Sequence, residues 1–206
     1  MHDVLILAAH PDLAHSRVHR TLFDTLRRAE AGGPVRWSLR DLYALYPDYL
    51  IDVAAEQAAL ASAQLVVWLH PIHWYGMPPL MKLWCDEVLA FGWAYGPGGQ
   101  ALAGKDLWLV VSTGGTDASY SPTGHNRHFI DAFWPPYEQT AALCGMRFLP
   151  PAVLHGAHRA GDGEIAAHAE VIADRLLRYP DWPEIDDLPP CVPCDTPAGE
   201  RPLPEP

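Results

Sequence analysis

Three short apolar runs constrain this chain more than anything else in it. They are Asp3–Ala9 (DVLILAA), Leu65–Leu69 (LVVWL) and Leu107–Val111 (LWLVV). A strand with one wet face alternates polar and apolar residues. These runs do not alternate, so each needs cover on both faces, as in a parallel sheet packed between helices. Each is followed by a polar loop and then by a helical pattern, which is the strand–helix alternation of an α/β domain.

The remaining elements fall into place around them. Val35–Leu39 reads as a second strand and Arg147–His155 as a fifth, the latter weakened by Pro150-Pro151. Ser16 is an N-cap for a helix reaching about Glu30, with Val18, Leu22, Phe23 and Leu26 as its buried stripe and Gly32-Gly33-Pro34 as its stop. Asp52 caps a helix over Val53–Ser62. Further helices are expected over Pro79–Phe91, within Phe129–Cys144 with a break at Pro135-Pro136, and over Glu164–Arg178. The expected fold is α/β, a five-stranded parallel sheet in the order 2-1-3-4-5 with helices on both faces. Residues 1–178 would form this domain. Residues 179–206 turn proline-rich, build no core of their own, and read as an extended tail.

At 206 residues the chain is long enough for one good core. A net charge of −11 argues against nucleic acid and against direct binding to an anionic membrane. No apolar run reaches about 18 residues, the length of a spanning helix. A cytoplasmic protein with reduced thiols is expected. Cys85 and Cys144 sit in apolar helical patterns, as core residues do. Cys191 and Cys194 stand as a lone CxxC pair in the tail, without a helix to open, so no metal is expected.

In the order 2-1-3-4-5 the strand order reverses between strands one and three, and ligands bind beyond the carboxyl ends there. Three loops converge on that edge. The first, from His10 through His19, opens a helix whose free amides and Ser16 hydroxyl suit a phosphate, with Arg17, His15 or His19 adding charge. The second, His70–Pro79, crowds His70, His73, Trp74 and Tyr75 into six residues and offers flat faces. The third, Ser112-Thr113-Gly114-Gly115, lets backbone approach a planar ring and points amides at developing negative charge. Alone, each also fits a capped helix, an aromatic core cluster or a plain turn. Together they suit a flat, phosphate-bearing redox cofactor, best matched by flavin mononucleotide (FMN).

At this point the chain resembles the flavodoxin-like NAD(P)H:quinone oxidoreductases of the DT-diaphorase group. Within that group it looks most like the ancillary flavoproteins of glutathione-regulated potassium-efflux systems. The residues that carry the resemblance are Ala9-His10-Pro11 with Ser16, Leu45–Asp48 with Ile51–Gln57, His70–Tyr75 with Pro78–Leu80, Gly92–Gly96 and Thr113–Gly115. It spans residues 1 to about 178. The resemblance implies an FMN-binding homodimer, with FAD less favoured and NAD(P)H as co-substrate. It assigns His10, Ser16, Arg17, Val18 and His19 to the phosphate and ribityl chain. Pro71, Ile72, His73, Trp74 and Tyr75 fall to the isoalloxazine, together with Ser112, Thr113, Gly114 and Gly115. Relatives often carry Asn where this chain has His19. Tyr120 and His125 fall where larger relatives place a catalytic Tyr and His, the latter after a one-residue gap.

The expected activity is two-electron transfer from NAD(P)H through flavin to a quinone, by a ping-pong route. Two other readings stand beside it. One is a regulatory subunit of a potassium-efflux antiporter, held through that partner at the inner face of the membrane, with turnover secondary. The other is a one-electron flavodoxin-type carrier. The helix after the aromatic loop has Leu80, Leu83, Trp84, Val88 and Phe91 on one face and Met81, Cys85 and Leu89 on another. The second stripe suggests a second buried contact, either a dimer partner or the chain's own tail.

Overall fold

The computed structural model describes residues 2–29 and 35–188. The expected helix stop at Gly32-Gly33-Pro34, the Cys191–Cys194 pair and the tail beyond Leu188 lie outside the described residues. Five strands form one sheet in the order β2-β1-β3-β4-β5. They are β1 (His2–Ala8), β2 (Val35–Asp41), β3 (Leu65–Pro71), β4 (Asp106–Ser112) and β5 (Arg147–Leu154), and every adjacent pair is parallel. Every residue of β3 and β4 is buried, which is why their sequences do not alternate.

The pleat divides the apolar runs between two cores. Val4, Ile6 and Ala8 face a layer built by α1 (Arg17–Ala29) and α6 (Asp162–Leu177). Leu5, Leu7 and Ala9 face the other, which includes Leu60 of α3 (Val53–Ser62), Trp84 of α4 (Pro79–Val88) and Tyr137 of α5 (Pro135–Leu143). A short α2 (Leu42–Leu45) is capped by Asp41, whose side chain accepts from the Tyr43 and Ala44 amides. Asp52 caps α3 by accepting from the Ala55 amide.

The prolines behave differently from expectation. Pro135-Pro136 starts α5 instead of breaking it, because the first helical positions have no intrahelical acceptor to lose. Pro150-Pro151 sits in the edge strand β5, opposite a register shift between Trp108 and Val110. There the Pro150 carbonyl takes the Trp108 indole N–H at 3.1 Å.

The tail boundary at residue 179 also changes. Tyr179, Trp182 and Ile185 are buried in the α1–α6 core, and Pro183–Asp187 forms α7. The Trp182 indole packs edge-on to Trp108 at 4.8 Å, and the Arg175 guanidinium lies 4.3 Å above its ring. Buried Asp106 anchors the turn, taking a two-point bond from Arg147 at 2.7 and 3.0 Å and the Tyr179 hydroxyl at 2.8 Å. Tyr179→Phe is expected to lower stability by about 2 kcal/mol, the worth of a buried bond to a charged group. Urea unfolding reads this directly, and an unchanged midpoint would show the anchor to be idle.

The second stripe of α4 resolves into two parts. Met81 is fully buried in the chain's own core. Cys85 and Leu89 instead line an open groove of about 290 Å³ with Tyr95 and Leu143. The helix ends at Val88, three residues short of Phe91, which is left 39% exposed.

Candidate functional site

The loops after β1, β3 and β4 meet at the carboxyl edge of the sheet, where strand order reverses. They enclose two adjoining hollows that share Ile72. The first holds about 400 Å³.

Its floor is the start of α1. The chain leaves β1, makes a single 3-10 turn over Leu13–His15 and enters the helix at Ser16. Ser16 Oγ accepts the His19 amide at 3.1 Å, which makes it the N-cap. The amides of Arg17 and Val18, first in the helix, have no intrahelical acceptor. They and the free hydroxyl proton of Ser16 form a donor set for an anion. His10 adds another. Its Nδ1 accepts the Asp12 amide at 3.0 Å, so the ring proton sits on Nε2.

Charge at this end of the cleft is scarce. Arg17 lines it, yet its guanidinium is engaged with the Ala160 carbonyl at 3.0 Å and Asp162 at 2.6 Å. Burial, and then His73, push the His10 pKa down. Burial pushes His19 far down, helped by His10 and His70. The His10 and His19 imidazoles are therefore neutral dipoles at pH 7, and the donors they leave for an anion at this end are amides, a hydroxyl and a ring N–H. His19 is 2% exposed, with Nε2 2.9 Å from Ser112 Oγ. Its buried Nδ1 has no partner among the described residues. A buried polar atom left open beside a cleft fits a bound polar group.

The wall comes from the loop after β3. His70 is fully buried, and its Nδ1–H donates to the Pro71 carbonyl at 2.9 Å. Pro71, Ile72 and His73 line the cleft. His73 and Gly76 then exchange two backbone bonds of 3.0 Å around Trp74 and Tyr75, whose φ angles are +49° and +65°. Positive φ at two consecutive non-glycine residues costs energy, and such strain collects at functional sites. The turn lifts Trp74 into solvent, 95% exposed.

The second hollow, about 280 Å³, lies beyond that turn. Trp74, Tyr75, Gly115, Tyr120, His125 and Asn126 line it. Tyr75 stacks on Phe133 at 5.1 Å, and Tyr120 meets the same ring edge-on at 6.0 Å. Burial raises the Tyr120 pKa, so it stays a phenol able to donate. Gly114 lines the first hollow and Gly115 the second. A Cβ on Gly115 would stand 3.3 Å from both Asn126 and Tyr120, and one on Gly114 3.2 Å from His158.

The expected site residues thus gather at one edge, with one difference in role. Thr113 is 1% exposed and turned inward, bonding to the Gly115 carbonyl and to His155. The expectations omitted Ala157, His158 and Asn126, all of which line the hollows. The signal for the first two was present. Strand five neighbours strand four in the expected order, so its carboxyl loop had to reach the same edge. Among the described residues no cluster of His, Cys, Asp and Glu could hold a metal.

A family model described as the flavodoxin-like fold matches residues 2–176. The glutathione-regulated potassium-efflux system ancillary protein of Citrobacter koseri is 42% identical over 176 residues, spanning 85% of this chain and 96% of its own. The general stress protein 14 of Treponema denticola, solved in complex with FMN, superposes with a TM-score of 0.78 at 37% identity, covering 85% of this chain and 99% of that one. A candidate quinone reductase from Klebsiella pneumoniae superposes at 0.71 with 25% identity, covering 88% and 86%.

Proposed function

The chain belongs to the flavodoxin-like fold family, and on that premise we propose that it is an FMN-dependent NAD(P)H:quinone oxidoreductase. The observation that carries the reading is the pairing of the two hollows. One is a donor-rich cleft at a helix N-terminus whose Arg17 is already paired with Asp162, and the next is an aromatic slot holding a phenol and an exposed imidazole. The first suits a phosphate and polyol chain, and the second suits a flat ring stacked by a flat substrate. The FMN seen with the Treponema protein supports the choice of cofactor.

Bound FMN would supply hydride acceptance and donation at its ring. The chain supplies position and electrostatics. The Arg17 and Val18 amides, Ser16 and His10 would hold the phosphate end. His19 orients Ser112. Pro71–His73 and the Gly114–Gly115 backbone would hold the ring, with the backbone amides of the Gly114–Gly115 turn available to stabilise negative charge. Tyr120 and His125 border the space left for nicotinamide or quinone, where each can donate a proton to a substrate oxygen. One slot serving both substrates in turn implies ping-pong kinetics.

The exposed Trp74, Tyr75 and Phe91, with Leu50 at 75%, support a homodimer that closes this slot. Among the described residues no helix is long and apolar enough to cross a membrane. A cytoplasmic enzyme is the localisation that goes with this reading. The ancillary-protein relatives favour a second role, attendance on a potassium-efflux antiporter at the inner membrane face. Co-purification with an antiporter would separate that role from catalysis alone.

The purified protein should be yellow, and FMN should raise its melting temperature. A colourless protein indifferent to FMN ends the reading. Gly115→Val should weaken FMN binding about tenfold or more, roughly 1.4 kcal/mol, by crowding Asn126 and Tyr120. Fluorescence quenching of added FMN measures it.

A further inference from the structure

His155 follows β5 and stands one layer behind the wall of the slot. Its Nδ1 lies 3.1 Å from Thr113 Oγ1. Thr113 Oγ1 in turn lies 2.8 Å from the Gly115 carbonyl, which can only accept. The threonine's single proton is committed there, so it accepts from His155, and the imidazole carries a hydrogen on Nδ1. Nε2 points the other way, 3.6 Å from Asp117 Oδ1, on a carboxylate that is 89% exposed. The imidazole also packs on Tyr120, with ring centroids 5.5 Å apart. The inner nitrogen is thus fixed, while the outer one faces an acid and water.

We propose that His155 is a switchable positive charge behind the Thr113–Gly115 turn. It takes a proton at Nε2 beside Asp117, keeps its Nδ1–H bond to Thr113, and when charged favours reduced, anionic FMN over oxidised FMN. The inference rests on the FMN reading given above. The only step is transfer of a proton from water to Nε2, and no electrons move at the imidazole. His155 is a positioning residue, since Thr113 stands between it and the cleft.

The groups around it set the direction. Asp117 and Tyr120 face it from the loop after β4, and His158 follows on its own segment beside Gly114. Burial lowers the His155 pKa, and Asp117 partly opposes this. The neutral form therefore prevails at pH 7, and the charge arrives on acidification. A cation one layer below the turn raises the potential there without altering the hydrogen bonds that shape it.

The test compares the FMN-loaded wild type with H155Q and D117N. H155Q retains a donor for Thr113 and loses the charge. Redox titrations between pH 5.5 and 8.5 give the ratio of affinities for reduced and oxidised FMN. On acidification that ratio should rise about tenfold more in the wild type than in H155Q, on the order of one pK unit of coupling. In D117N the extra rise should move to lower pH. Nitrogen NMR of the wild type without FMN should find Nδ1 of His155 protonated throughout, with Nε2 titrating. Wild-type pH dependence in H155Q, or an unprotonated Nδ1, overturns the inference while leaving the FMN reading intact. Failure of the wild type to bind FMN overturns both.

Discussion

Replacing Glu56 by alanine is expected to cost about 3 kcal/mol or more of stability, the usual penalty for breaking a buried ion pair from one side. Glu56 is fully buried on α3. Its Oε1 takes two bonds from Arg40, at 3.0 and 2.5 Å, and the Tyr46 hydroxyl at 2.5 Å. Its Oε2 takes the Trp84 indole N–H at 3.0 Å. One carboxylate therefore joins β2, the turn after α2, and α4. Alanine leaves three donors facing a void. Arg40 keeps 23% of its side chain in water, which holds the loss nearer 3 than 5 kcal/mol. Glu56→Gln keeps the volume and two acceptor lone pairs, so its loss should be about half. Urea unfolding of both variants decides it. A cost below about 1 kcal/mol for alanine would mean that the carboxylate is no hub. Because α4 begins six residues after His73, the last residue of the cleft wall, the alanine variant should also bind FMN more weakly.

Glu56 also shows how far the sequence could be read. It lay inside the Ile51–Gln57 motif that carried the family resemblance, with nothing to mark it as a structural centre. Its partners at Arg40, Tyr46 and Trp84 are assembled by the fold, not by spacing. The three apolar runs were legible because burial on both faces leaves a signal in every residue. The loops after β1, β3 and β4 were legible because strand order fixes where they meet. Which side the Thr113 hydroxyl faces is not legible in a Thr-Gly-Gly turn. His155 and His158 carry no local mark, because a histidine after an edge strand reads alike whether it backs a cleft or meets solvent. At the tail, Tyr179 and Trp182 are buried from a turn and Ile185 from the short α7 that follows, so no single periodicity marks them among the prolines. The second stripe of α4 stays open in the sequence because helical periodicity does not say what covers a face; the fold gives Met81 to the chain's own core.

Acid should destabilise the protein well above the range where carboxylates titrate. His70 is fully buried, gives its Nδ1 proton to the Pro71 carbonyl, and stacks on Tyr137 at 5.8 Å. Its Nε2 has no partner among the described residues. A second proton there would place an unpaired charge in the core, and burial accordingly lowers the pKa from 6.5 to about 4. Between those values the unfolded chain binds a proton that the folded one refuses. Stability is then complete above about pH 6.5 and falls as pH drops towards 4. The slope is about 1.4 kcal/mol per unit, so the loss totals about 3 kcal/mol. His19, also buried and lowered, acts with the same sign. Urea midpoints at pH 7, 5.5 and 4.5 should fall in step, and His70→Gln should flatten part of the decline while keeping a donor for Pro71. A midpoint that stays level from pH 7 to 5 would mean that His70 is charged in the folded protein. The consequence for the site is direct. The same neutral imidazole that holds the Pro71 carbonyl in the cleft wall also sets the acid limit of the fold, so cofactor binding and stability should fail together.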